Sequence, residues 1–169
     1  MVDDVRPREE FLRSARARFA ELKGLGDRAL ERMDEADLRF TPDPESNSVV
    51  VIVQHVAGNM MSRWTDFLTT DGEKPDRNRD AEFVPAEGST KEKLLALWEK
   101  GWSRLFDTVN ALTPADLDRR VSIRGQPLSV MDAIQRQLTH YGQHVGQIVY
   151  IAKHRTWRTW ASLSVPKKR

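Results

Sequence analysis

Ser48 to Leu68 reads SVVVIVQHVAGNMMSRWTDFL, and the fold turns on whether this stretch is strand or helix. The β-branched run Val49–Val53 favours a strand when taken alone. Length decides against it, because strands rarely exceed about ten residues and no proline interrupts the stretch. Val49, Ile52, Val53, Val56, Met60, Trp64 and Phe67 then share one helical face. Asn47 or Ser48 can cap its start. On the same helix His55, Asn59 and Arg63 recur at i, i+4 and i+8, a polar ladder beside the apolar face. A solvent-exposed ladder of this kind is ordinary, and His55 alone fits that reading equally well.

Outward from this helix the same period recurs. Upstream, Phe11, Ala15, Phe19, Leu22, Ala29 and Met33 predict a helix from about Arg8 to Glu35. Gly24 and Gly26 weaken it by about 1 kcal/mol each and offer places for a bend or a break. Thr41-Pro42-Asp43-Pro44 ends any helix before the central one. Downstream, residues 71–88 (DGEKPDRNRDAEFVPAEG) are too polar for a core element and too long for an ordinary bundle connection. They read either as a surface crossover or as a lid or wall over a site. Ser89-Thr90-Lys91-Glu92 carries a capping-box signature. It opens a helix striped by Leu94, Trp98, Trp102, Leu105 and Val109. Thr113-Pro114-Ala115-Asp116 predicts a short helical turn with proline at its favoured first position. Arg120 to Leu128 alternates around Gly125 and predicts a small hairpin.

Ser129 with Asp132 caps the last helix, on which Ile134, Leu138, Tyr141, Val145 and Ile148 form the buried stripe. This helix contains LTHYGQHVGQIVY, Leu138 to Tyr150, with two of the chain's four histidines. His140 and His144 stand four residues apart, so both imidazoles rise from one face and make half of a transition-metal site. Tyr141 follows His140 where a zinc peptidase has glutamate, which argues against peptidase chemistry. Two inert polar residues at the edge of a buried face explain the same spacing. His154 lies past the apolar pattern and is left out of the site. Trp157 and Trp160 are expected to lay the tail across the bundle.

Composition sets further bounds. The 169 residues suit one domain with a core that needs no staples. Without cysteine there are no disulfides, thiolate metal sites or cysteine nucleophiles, and a reducing cytosol is the natural setting. No secretion signal or membrane-length apolar run is visible. The net charge of +2 is interspersed rather than striped, which argues against nucleic acid as a partner. Only Pro166-Lys167-Lys168-Arg169 is locally basic.

Four amphipathic helices predict an all-α four-helix bundle spanning residues 1–169, with a long crossover between its second and third helices and the hairpin before its fourth. If the second and fourth are neighbours, His55 joins His140 and His144. Three imidazoles leave positions open on a zinc or nickel ion.

These residues carry a family likeness. With His55 in VVVIVQHVAGNM, the pair in THYGQHVGQIVY and the terminal SLSVP, the chain resembles an uncharacterised branch of the DinB/YfiT-like superfamily of metalloenzymes. The likeness covers most of Asn47 to Pro166. It implies a four-helix bundle with one histidine on the second helix and an HxxxH pair on the fourth. It also implies a cytoplasmic bacterial protein, often a homodimer. Some relatives transfer low-molecular-weight thiols such as bacillithiol, and others are mycothiol-dependent isomerases.

The expected function is therefore a metal-dependent enzyme of the thiol (S-)transferase or hydrolase type acting on a small molecule. A non-catalytic metal-binding stress-response module is the alternative. Asn59 and Arg63 are placed to orient an anionic group of the substrate, and Gln143 or Gln147 to hold a ligand ring or a water. No catalytic residue is evident, and Glu73 and Glu82 of the crossover are the acids available as a general base.

Overall fold

A computed structural model describes residues 5–164 and contains five α-helices and one hairpin. Helix α1 spans Val5–Glu31, α2 Glu35–Arg39, α3 Val49–Trp64, α4 Lys91–Ala111 and α5 Val130–Arg155. The four long ones, α1, α3, α4 and α5, form the expected bundle. Helix α3 packs most closely on α4, and α5 on α1, while α3 and α5 approach each other less along their lengths. The basic tail, Pro166 to Arg169, lies outside the described residues.

The β-branched run is helical, as its length requires. Ser48 caps it, its hydroxyl oxygen accepting the Val51 N–H, and Val49 to Val53 are all buried. The helix stops at Trp64, short of Leu68. Thr65 is extended and Asp66 takes a left-handed φ of 47°, a conformation Asp tolerates better than most residues. Phe67 still reaches the core from beyond that turn. Helix α1 runs unbroken through Gly24 and Gly26, since its apolar face is buried on both sides of them. Thr90, rather than Ser89, caps α4 by accepting the Lys93 N–H, while Ser89 donates to the Ala86 carbonyl.

Pro114–Asp116 is a single 3₁₀ turn closed by a reciprocal capping box between Thr113 and Asp116. The hairpin pairs β1 (Arg120–Ile123) with β2 (Gln126–Ser129) in antiparallel register. Its two turn residues, Arg124 and Gly125, have φ of 55° and 72°, as a two-residue primed turn demands. Ser129 leads straight from β2 into α5, its hydroxyl accepting the Asp132 N–H.

The tail follows the expectation only in part. Trp160 packs on the core beneath the Arg32 guanidinium, and Arg32 also donates to the Ala161 carbonyl. Trp157 points outward, 67% exposed, because the chain turns away at the end of α5. No helix among the described residues is long and apolar enough to cross a membrane.

Candidate metal centre

His55 comes from α3, and His140 and His144 from successive turns of α5. The Nε2 of His140 lies 3.3 Å from that of His55 and 3.2 Å from that of His144, and the three ligand atoms all fall within 4.8 Å of one another. Hydrogen bonds on the far side of two rings fix their tautomers. His55 Nδ1–H donates to Glu82 at 2.9 Å, and His144 Nδ1–H donates to the Gln147 side-chain oxygen at 2.8 Å. A proton held on Nδ1 leaves the lone pair on Nε2, the state a metal ligand needs. Burial, with repulsion from His144, His55 and the nearby guanidinium groups, pushes the His140 pKa down to about 3. Burial lowers that of His144 as well, against the bond to Gln147. Neutral imidazoles converging through Nε2 are the donor set that suits a divalent transition metal.

Glu82 reaches His55 from the crossover, which folds back over α3 through a 3₁₀ turn at Asp80–Phe83. The Phe83 ring lies 4.9 Å from the His55 ring. Gly58, one turn along from His55, leaves the space Glu82 occupies: a Cβ there would sit 2.2 Å from a Glu82 carboxylate oxygen. Arg77 grips both oxygens of the same carboxylate at 2.7 Å. Burial opposes ionisation of Glu82, but the bonds to His55 and Arg77 prevail and hold its pKa below the usual value. Glu73 is lowered too: burial again opposes, and Arg77, Arg124 and Arg63 overcome it. Neither acid is therefore a base poised near neutrality, and Glu82 orients a histidine instead.

Asn59 and Arg63 stand one and two turns beyond His55, both buried. Trp64 donates its indole N–H to the Tyr141 hydroxyl, which donates in turn to Asn59 Oδ1 at 2.9 Å. Burial holds the Tyr141 phenol far above its ordinary pKa, so the proton stays on it. With its oxygen committed, Asn59 keeps its amide N–H groups for whatever enters. Gln143 is exposed at the rim, without a bond to any ligand ring.

His55, Asn59, Arg63, His140 and Gln143 line a cleft of about 310 Å³ between α3, α5 and the crossover. Asp71, at the start of the crossover, ties the hairpin to this wall. Its carboxylate accepts the Ser122 hydroxyl and the backbone N–H groups of Glu73, Arg124 and Gly125, which carries Arg124 to the cleft. Arg77, Arg124, Arg136 and Gln137 escaped the sequence reading. The charge pattern of residues 71–88 was the only available signal for the first, and nothing local marks the others.

A family model matches residues 7–169. The chain belongs to the family DUF1572, described as a protein of unknown function. The match takes in both arms of the histidine set, so the site lies wholly within the family's span. No curated protein matches the sequence significantly. Among solved structures the chain is similar to YfiT from Bacillus subtilis, described as "a probable metal-dependent hydrolase with an unusual four-helix bundle topology". The TM-score is 0.65 at 18% identity, covering 91% of this chain and 89% of that one. That likeness establishes the DinB/YfiT-like bundle as the fold.

Proposed function

We propose that this chain is a metal-dependent enzyme acting on a small molecule, with a zinc or nickel ion held by the Nε2 atoms of His55, His140 and His144. The observation that carries the proposal is the convergence of those three nitrogens, two of them with tautomers fixed from behind by Glu82 and Gln147. When bound, a divalent ion on three protein ligands supplies Lewis acidity at its open positions and makes a nucleophile available near neutral pH. Glu82 and Gln147 hold two of the rings in register. The Asn59 amide offers N–H donors to a polar group of the substrate, and the crossover limits water access from one side. Hydrolysis and thiol (S-)transfer both fit this arrangement. The description of YfiT favours the first, and the superfamily resemblance keeps a low-molecular-weight thiol as cosubstrate for the second.

Elemental analysis of protein purified without added metal tests the centre. About one equivalent of zinc or nickel is expected, and it should vanish in the His140→Ala, His144→Ala double variant. Metal retained by that variant would refute the site.

One observation favours a second reading. Among the described residues no carboxylate lines the cleft, and both nearby acids are tied to arginines. A metal-binding module without turnover needs no general base and so accommodates this. Screening of thiols with electrophiles and of simple esters and amides separates the two, because metal-dependent turnover of any of them excludes the module. By the same resemblance we propose a cytoplasmic homodimer, for which light scattering in solution should give twice the chain mass.

A further inference from the structure

Five arginines, Arg63, Arg77, Arg79, Arg124 and Arg136, line the cleft beside the histidines, and among the described residues no aspartate or glutamate does. Their pairing is uneven. Arg77 has a partner at each of its three nitrogens, both Glu82 oxygens and one Glu73 oxygen. Arg124 takes the other Glu73 oxygen at 3.1 Å, leaving Arg63 a single long contact to that atom at 3.4 Å. Arg63 is only 3% exposed, and its Nε and Nη1 have no hydrogen-bond partner. Arg136, exposed on α5, has no carboxylate partner among the described residues. Gln137, 2% exposed, leaves its side-chain oxygen unbonded in the same cleft.

A buried guanidinium with two idle nitrogens is costly, because each unmet N–H has given up water for nothing. It cannot escape by losing its proton, since arginine stays charged in proteins. Tyr141, Asn59 and Trp64 bind one another and offer it no relief. The feature makes sense if something supplies the missing acceptors. The fork of an arginine matches the two oxygens of a carboxylate or phosphoryl group, while the Gln137 oxygen calls for an O–H or N–H alongside.

We propose that Arg63, with Arg136 and Gln137, forms an oxyanion subsite beside the three histidines, and that the substrate carries a carboxylate or phosphoryl group there. The subsite deepens the proposed function and rests on it only for what lies next door. An anion seated on Arg63 delivers the rest of the molecule toward His140, one turn along α5 from Arg136. The cleft volume, at the low end for ligand pockets, restricts that remainder to a small molecule.

The test uses inorganic phosphate as probe, since its monohydrogen form offers both acceptors and an O–H. Calorimetric titration and thermal shift are run on the full chain, with metal and after chelation, and metal content is measured on every sample. The chelated wild type is expected to bind phosphate saturably at millimolar concentration, with a shift of the Arg63 Nε–H resonance. Arg63→Gln should weaken binding tenfold or more, Arg63→Lys should recover part of it, and Arg13→Gln on the exposed face of α1 should leave it unchanged. Should Arg63→Gln not fold, Arg136→Gln carries the test, because an exposed side chain without partners can be removed without harm to the core. Absence of saturable binding to wild type, or equal binding by the Arg63 and Arg136 variants, overturns the subsite. A protein that holds metal but ignores phosphate loses the subsite and keeps the centre. One that takes phosphate through Arg63 yet never holds metal keeps the subsite and loses the centre.

Discussion

Helix α3 has two buried faces that differ in almost everything except burial. Toward α4 stand Ala57 and Met60, fully buried, and Gly101 of α4 approaches so closely that a Cβ there would lie 3.0 Å from the Ala57 Cα. Toward α5 stand His55, Asn59 and Arg63, at 6%, 5% and 3% exposure, facing side chains of the crossover and an open cleft. Burial alone therefore does not separate core from site. The α4 seam is satisfied by packing, in which each side chain needs only shape from its neighbour. The α5 seam needs hydrogen-bond partners, and the chain supplies them only in part: at His55 Nδ1 and the Asn59 oxygen, but not at Arg63 Nε or Nη1. The unfilled demand marks where a ligand belongs.

The sharpest way to break this contrast is His140→Ala. It should reduce bound metal from about one equivalent to trace by elemental analysis, while the chelated variant's unfolding free energy in chemical denaturation changes by less than about 1 kcal/mol, because the polar seam adds little packing. Gly101→Leu is the converse. Overpacking the dry seam should cost about 1–3 kcal/mol in chemical denaturation and leave metal stoichiometry intact.

Gly58→Ala tests the boundary between the faces. A methyl group at 58 must displace Glu82, so metal affinity should drop about 10–100-fold by competition with a chelator, as for loss of a partner behind a ligand histidine. Loss of the buried Glu82 bonds to Arg77 and His55 should outweigh the roughly 1 kcal/mol that alanine adds to a helix, so stability in chemical denaturation should fall as well. Full metal affinity in this variant would show that Glu82 is not needed behind His55.

The smallest effect concerns the tether of the cleft wall. Burial would raise the Asp71 pKa, but its bonds to Ser122 and to the Glu73, Gly125 and Arg124 N–H groups hold it below 3.8. Its folded pKa is thus depressed, so its contribution is complete above about pH 4 and disappears as pH falls through the folded value. Asp71→Asn should cost about 1 kcal/mol at pH 7, the order of one net hydrogen bond. Parallel denaturation curves should show that gap constant from pH 7 to about 5 and closing below 3.8. A gap that persists in strong acid would mean that packing, not charge, makes the tether.

Much of the bundle was legible because its signals are local. Ser48, Thr113 and Ser129 announced their turns through their own hydroxyls. The stripe through Ile134, Tyr141, Val145 and Ile148 repeated the helical period that buries it. Where reading failed, the cause was not local. The α3 end fell at Trp64 because the crossover folds back there, with Ser62 bonding Gly72 and Lys74. Hydrophobicity alone predicts a place on the bundle for Trp157, but an aromatic ring at a helix end turns inward only if a surface is there to receive it.

The sequence by itself determined that His140 and His144 share a face and that His55, Asn59 and Arg63 share another, because 3.6 residues per turn leaves no alternative. Only the tertiary structure decided that these faces meet, across 85 positions between His55 and His140. It also decided that the polar crossover brings Glu82 behind one ring and arginines around the cleft. Those juxtapositions depend on which helices pack together and how a loop folds over them, and such long-range contacts leave no periodic trace in the chain.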